Sequence, residues 1–178
     1  MKNHKIKVLY LVLDMDLGGL QRIIKLLIER IDKGRFSPYL CCLDRGGIFL
    51  NEAGMEFMPS YILGRRPGPF DFRLFIRLYK ILRSNKIDII HSQNGCSFYA
   101  ALAGRMAGVR GIIHTDHGRL VPDKKVAKLE DRIASMMMER YIGVSEKLTE
   151  YLASQVKISK KKLVTILNGV DTQRFVPW

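Results

Sequence analysis

The chain has 178 residues, 47% of them hydrophobic and 26% charged, the balance of an ordinary globular domain. A chain of that length buries about 70% of the surface it exposes when unfolded, enough for one core, and no apolar run approaches the roughly 20 residues that span a bilayer as a helix. Its formal charge of +13 favours polyanionic neighbours, whether lipid headgroups, phosphorylated substrates or nucleic acid, and is silent on fold.

The basic start Met1-Lys2-Asn3-His4-Lys5 precedes an apolar segment that ends at Asp14 and Asp16 with no small-residue cleavage pattern. It predicts a core strand rather than a signal peptide. That strand, residues 7–13 (KVLYLVL), is apolar throughout, as a parallel strand covered on both faces must be. A turn at Leu17-Gly18-Gly19 follows, then Ile23, Ile24, Leu27, Ile28 and Ile31 at helical spacing. Gly18-Gly19 is either a plain tight turn or a helix N-terminus whose free amides receive a phosphate. The dinucleotide pattern G-x-G-x-x-G is absent, which disfavours a dehydrogenase.

Residues 39–43 read as a second strand and 57–63 as a third. Adjacent Cys41 and Cys42 point to opposite faces of their strand; with Cys96 they make an odd count without ligand spacing, which predicts buried thiols in a reducing cytosol. The Pro/Gly loop of residues 64–70 leads into a helix over 71–84, with Asp71 as its cap. One face of that helix carries Arg73, Arg77, Lys80 and Ser84, and Arg65 and Arg66 precede it. This is either a solvated outer face or a surface that docks on anionic membrane, where each basic residue contributes about 1 kcal/mol.

Residues 87–91 predict a fourth strand, 100–108 a small-residue helix, 111–114 a fifth strand and 125–138 a helix that includes Met136-Met137-Met138 as packing residues. Residues 141–144 read as a sixth strand, Ser145 caps a helix to about residue 154, and 163–166 close the series. Such alternation predicts one domain: a Rossmann-like, doubly wound parallel α/β sheet. Polar residues gather where its strands should end. His91 is either a structural histidine or a ligand contact, and Asn94 follows it in the same polar strand end. His114 and His117 flank Asp116, but His114 belongs to the strand and no third metal ligand stands near. Arg119 faces acceptor, phosphate or solvent.

Taken in order, these segments resemble the N-terminal domain of family-4 retaining glycosyltransferases of the GT-B fold. The matching pieces are Gly18-Gly19-Leu20-Gln21-Arg22, Asp88-Ile89-Ile90-His91-Ser92-Gln93-Asn94, Thr115-Asp116-His117-Gly118-Arg119, Gly143-Val144-Ser145 and Asn168-Gly169-Val170-Asp171 with Arg174-Phe175. The resemblance implies transfer of a sugar from a UDP- or GDP-linked donor to an acceptor hydroxyl with retention, without a cofactor or catalytic metal. It implies His117 as the active-site histidine, Gly18, Gly19, Asn168 and Gly169 on the donor, and Gln21, Asn94 and Arg119 towards the acceptor. The acceptor is then a sugar or a lipid-linked glycan in polysaccharide or glycolipid synthesis. A C-terminal domain holding most of the nucleotide sugar is expected beyond this chain, which alone should turn over little. Cytoplasmic placement follows, with peripheral attachment to the inner membrane face through Arg65, Arg66, Arg73, Arg77 and Lys80. The competing reading is a noncatalytic basic module binding anionic membrane or nucleic acid, but no nucleic-acid motif or stacking platform supports a nucleic-acid partner.

Overall fold

A computed structural model describes residues 5–52, 55, 58–66, 70–119 and 123–170. Seven strands form one parallel sheet: β1 (Ile6–Val12), β2 (Phe36–Cys42), β3 (Ser60–Ile62), β4 (Ile89–Gln93), β5 (Gly111–Asp116), β6 (Arg140–Gly143) and β7 (Leu163–Thr165), in the spatial order β3-β2-β1-β4-β5-β6-β7. The helices between them are α1 (Gly19–Arg30), α2 (Phe72–Asn85), α3 (Ser97–Ala107), α4 (Lys125–Met136) and α5 (Glu146–Tyr151), the last continued by a wide turn over Leu152–Val156.

β1 is apolar along its length because it serves two cores at once. Val8, Tyr10 and Val12 pack with Ile24 and Ile28 of α1 and with Leu40 and Cys42. Leu9 and Leu11 face the other way, into a core built from α2, α3 and α4 with Leu152 and Val156. Helix α1 therefore covers one face of the sheet and α2, α3 and α4 the other. All three cysteine thiols are buried and free, and burial pushes that of Cys42 up to about 12.

Pro38 lies within β2, where a missing N–H ordinarily breaks a ladder. Strand alternation turns Pro38 to the same side as Leu40, whose amide bonds Pro59. β3 pairs only with residues 40–42, so the proline sits beside β3's open end and costs no sheet bond.

Several boundaries move. The third strand covers only Ser60–Ile62, and Phe57, where it was expected to begin, lies outside the described residues, as do residues 67–69 of the Pro/Gly loop, Asp171, Arg174 and Phe175. β4 starts and ends two residues late, because its polar end, Ser92 and Gln93, pairs in register with His114 and Thr115 of β5. Asp71 caps α2 as expected, accepting from the amides of Arg73 and Leu74. Of the methionine triplet, Met138 is buried while Met136 is 72% exposed.

The loop after β1 is braced by the loop after β2. The amide of Met15 donates to the Gly46 carbonyl at 2.6 Å, and that of Phe49 to the Met15 carbonyl at 3.0 Å. Gly47, between them, has φ +112°, and a Cβ there would lie 2.2 Å from the Met15 carbonyl carbon. Gly47→Ala should therefore cost roughly 2–3 kcal/mol, seen as a lower urea midpoint with an unchanged slope.

Candidate functional site

Parallel strands bring their carboxyl ends to one edge. The crossovers run leftward from β1 to β2 and rightward from β4 to β5, so a crevice opens between β1 and β4 at that edge. Helix α1 starts beside it. Gly18 is an extended N-cap with no side-chain cap bond, and the first intrahelical bond runs from the Arg22 amide to the Gly18 carbonyl. The amides before Arg22 are thus without intrahelical partners, and nothing lies within 4 Å of the space a Cβ on Gly19 would fill. Gln21 folds back over Gly18, where a Cβ would lie 2.2 Å from its amide oxygen, and its Nε2 donates to Asp14 Oδ1 at 3.0 Å. Its side chain braces the first loop against the end of β1.

Across the crevice, Asn94 ties β4 to the loop after β5. Its Oδ1 accepts the His117 amide at 2.7 Å, and its Nδ2 donates to the Gly118 carbonyl at 2.8 Å. Gly118 holds φ +129°, a conformation that lets the chain turn directly after His117. The ring Nε2 of His117 lies 2.9 Å from Gln93 Oε1. Gln93 is 1% exposed, and its own amide nitrogen has no partner among the described residues. Burial lowers the pKa of His117, so the ring is neutral near pH 7.

The two other strand-end histidines are also neutral, for structural reasons. His91 bonds Thr115 Oγ1 at 2.8 Å, and burial, then the nearby His117, hold it at about 4. His114 bonds Ser92 Oγ at 2.9 Å and packs on Tyr141; burial first of all holds it at about 3. Each of the three rings has its own separate partner.

Arg119 is a structural hub. Its Nε meets Asp116 at 2.6 Å, one terminal nitrogen meets Asp123 at 2.8 Å, and the other meets Asp131 at 2.6 Å. Burial opposes its charge, but Asp116 and Asp131 outweigh that and raise its pKa. Burial also raises Asp116 despite the contact with Arg119. Both shifts are upward, so the charge on Arg119 is favoured while that on Asp116 is not: one guanidinium serves three carboxylates, which leaves Asp116 partly uncompensated beside Asp131. Ser97 adds a bond to Asp131 at 2.5 Å.

Beside this hub lies a hollow of about 580 Å³ lined by Asn94, Gly95, Asp116, Gly118, Arg119 and Glu130, with Phe70, Phe98 and Tyr99 forming its aromatic side. Phe70 stacks on Tyr99 at 5.2 Å. Asn168 and Gly169 follow β7 and are exposed. Gly169 and Val170 line a smaller apolar hollow, of about 300 Å³, along the flank of α1 with Tyr10, Ile23 and Leu27.

The basic residues around α2 differ in their contacts, and Arg77 is exposed as well as bonded. Arg65 grips Asp44 through two bonds at 2.7 and 2.9 Å, and Arg77 donates to the carbonyls of Leu63 and Ile62. Arg66, Arg73 and Lys80 remain exposed. Gln93 and Asp131 were given no role from the sequence, and Asp116 was weighed only as the carboxylate between His114 and His117. A polar residue ending an apolar strand was the available signal for Gln93, whereas the carboxylate cluster had none.

Comparison with known proteins gives a consistent answer. The family model described as Glycosyltransferase Family 4 matches residues 17–174. A curated relative from Escherichia coli, UDP-Gal:alpha-D-GlcNAc-diphosphoundecaprenol alpha-1,3-galactosyltransferase, is 27% identical over 97% of this chain and 47% of its own length. The chain thus spans about half the length of that relative. Among solved structures, Anabaena HepE in complex with UDP superimposes with a TM-score of 0.78 at 16% identity, over 94% of this chain and 45% of HepE. A UDP-N-acetylglucosamine 2-epimerase from Rickettsia bellii superimposes with a TM-score of 0.63 at 18% identity, over 91% and 44%. The fold is therefore shared between transferases and epimerases.

Two outcomes test the site's electrostatics. Arg119→Ala strands three carboxylates and should destabilise by roughly 3–5 kcal/mol at pH 7. The deficit should shrink as Asp116, whose carboxyl pKa burial already raises, takes up a proton, in urea melts compared at pH 7 and 5. Separately, His91 and His114 have folded pKa values depressed below 6.5, so the unfolded chain takes up protons first. Stability should fall as pH drops from about 6.5 towards 4, by on the order of 3 kcal/mol for His91 alone, and His114→Gln should flatten that slope.

Proposed function

The chain belongs to Glycosyltransferase Family 4, and from that premise we propose that it is the acceptor-side half of a retaining transferase moving a sugar from a nucleotide-sugar donor to an acceptor hydroxyl. The observation that carries this reading is His117, held at the crevice by Asn94 and Gln93. An amide oxygen only accepts, so the ring nitrogen facing Gln93 Oε1 carries the proton and Nδ1 is left as an acceptor. A neutral ring so oriented suits a donor-sugar hydroxyl, which needs a fixed hydrogen-bond acceptor rather than a charge. The open amides at Gly18 and Gly19 suit the donor diphosphate; Asn168 and Gly169, the latter along the flank of α1, are assigned to the donor by family resemblance alone.

The hollow beside Asn94 suits the acceptor. Its aromatic side offers a stacking surface for a sugar ring, and carboxylates such as Glu130 accept from hydroxyls. Arg119 holds that wall in shape, and Gln21 braces the first loop, so both act behind the surface. The donor and acceptor in the E. coli relative's name, and the UDP bound to HepE, support a UDP-sugar donor and a glycan on a lipid diphosphate here, and with them a reading of work at the cytoplasmic membrane face in polysaccharide or glycolipid synthesis. The reading draws on no metal. The remaining donor contacts belong to a C-terminal domain of the kind the longer relatives have room for.

By itself this chain should bind UDP-sugars weakly and transfer little, and transfer should appear when a C-terminal partner domain is supplied. In that two-domain protein, His117→Ala should lower kcat by about 100-fold with a smaller change in donor KM, measured by radiolabelled sugar transfer. Efficient transfer by the isolated chain, or an unaffected His117→Ala, would refute the assignment. NMR of the product's anomeric centre tests retention.

A further inference from the structure

Helix α4 turns its small and polar residues inward and its large apolar residues outward. Its inner side packs on α3 and the core through Ala134 and Ser135, and Asp131 turns to Arg119. Its outer side carries Val126, Leu129, Ile133 and Met136 at intervals of three, four and three residues, which align along one stripe. These side chains are 67%, 56%, 41% and 72% exposed, and Met106 of the adjoining α3 is 61% exposed. Scattered exposed apolar residues need no explanation, but a contiguous stripe does.

Charge says what covers it. Lys124 and Lys125 stand exposed at the N-terminal end of the stripe, and Arg132 beside it. At the other end, Lys162 donates to the carbonyls of Ser135 and Met136 at 2.8 and 2.7 Å, which brings exposed Lys160 and Lys161 next to Met136. Of the nearby acids, Asp131 is held by Arg119 and Glu139 by Arg105, and Glu130 faces the hollow beside Asn94.

An apolar stripe with a cationic border matches an anionic bilayer surface, where apolar side chains enter the acyl boundary and basic ones meet headgroups. A second copy would oppose the same cationic border with its like. Gly169 and Val170 lie along α1, on the opposite face of the sheet, and do not cover the stripe. We propose that α4, rather than α2, is the face by which this protein docks on anionic membrane. At 12 residues the helix is about 18 Å long, so it lies in the interface and does not cross. Lys124, Ala127 and Glu130 of α4's first turns also line the hollow beside Asn94, so docking sets that hollow next to the lipid. This link rests on the acceptor reading above; the docking itself does not.

The test uses this chain with vesicles and neither donor nor acceptor, so its failure and that of the sugar-transfer reading are separate events. The chain should sediment with vesicles of equal parts phosphatidylglycerol and phosphatidylcholine, and at least about tenfold more weakly with phosphatidylcholine alone. Leu129→Glu with Ile133→Glu should weaken binding by about tenfold or more without changing the thermal midpoint, because both positions are exposed. Arg73→Gln with Lys80→Gln on α2 should stay within about twofold of the parent. As an independent reading, Leu129→Trp should give blue-shifted indole fluorescence on anionic vesicles. The proposal fails if the α2 pair abolishes binding while the α4 pair does not. It fails equally if the α4 pair merely turns a dimer into a monomer in light scattering and no protein sediments with vesicles.

Discussion

The reversal of crossover direction between β1 and β4 is the constraint from which the rest of this molecule follows. Two parallel strands that send their chains to opposite sides leave a gap at their carboxyl ends that no loop has to fill. Every residue of interest is positioned against that gap. Gly18 and Gly19 open α1 on one side. Gln93 and Asn94 end β4 on the other, and Asn94 reaches one strand further to hold His117 and Gly118. Asn94 thus pins the loop at an amide and a carbonyl on either side of the histidine's position.

The second organising feature is charge confined by burial. Three carboxylates around one guanidinium are tolerable only because Arg119 offers separate donors to each, and that fork geometry is what lysine lacks. The arrangement welds the start of α4, the loop after β5 and, through Ser97, the start of α3 into one wall. A stiff wall of acids beside Phe98 and Tyr99 suits an uncharged, hydroxyl-rich ligand better than a phosphate. The excess positive charge of the chain is spent elsewhere, on the outside.

This separation gives the two surfaces different tasks. The crevice side is polar, neutral in its histidines and built from strand ends. The α4 side is apolar and bordered by lysines. Because α4 contributes to both, its inner residues to the acidic wall and its outer ones to the exposed stripe, the position of one surface sets the position of the other.

The alternation of apolar runs and helical spacings was sufficient to read a parallel, doubly wound sheet, since a strand buried on both faces has no polar side to hide, as residues 7–13 show. Asp71 and Ser145 as caps were legible for the same reason: their effect is local and depends on neighbours a few residues away. The ordered motifs located His117, Gly18 and Gly19. Pairing between distant residues was not legible. Arg119 reads as a free cation until folding brings Asp131 to it from 12 positions away, and Arg65 and Arg77 read as surface charge until Asp44 and the carbonyls of Ile62 and Leu63 meet them. Gln93 looks like any polar strand end until the ring of His117 closes on it. The outward stripe on α4 has the spacing of a core-facing helix, so only the tertiary structure, which buries the small and polar opposite side, could show that the apolar stripe was left in water.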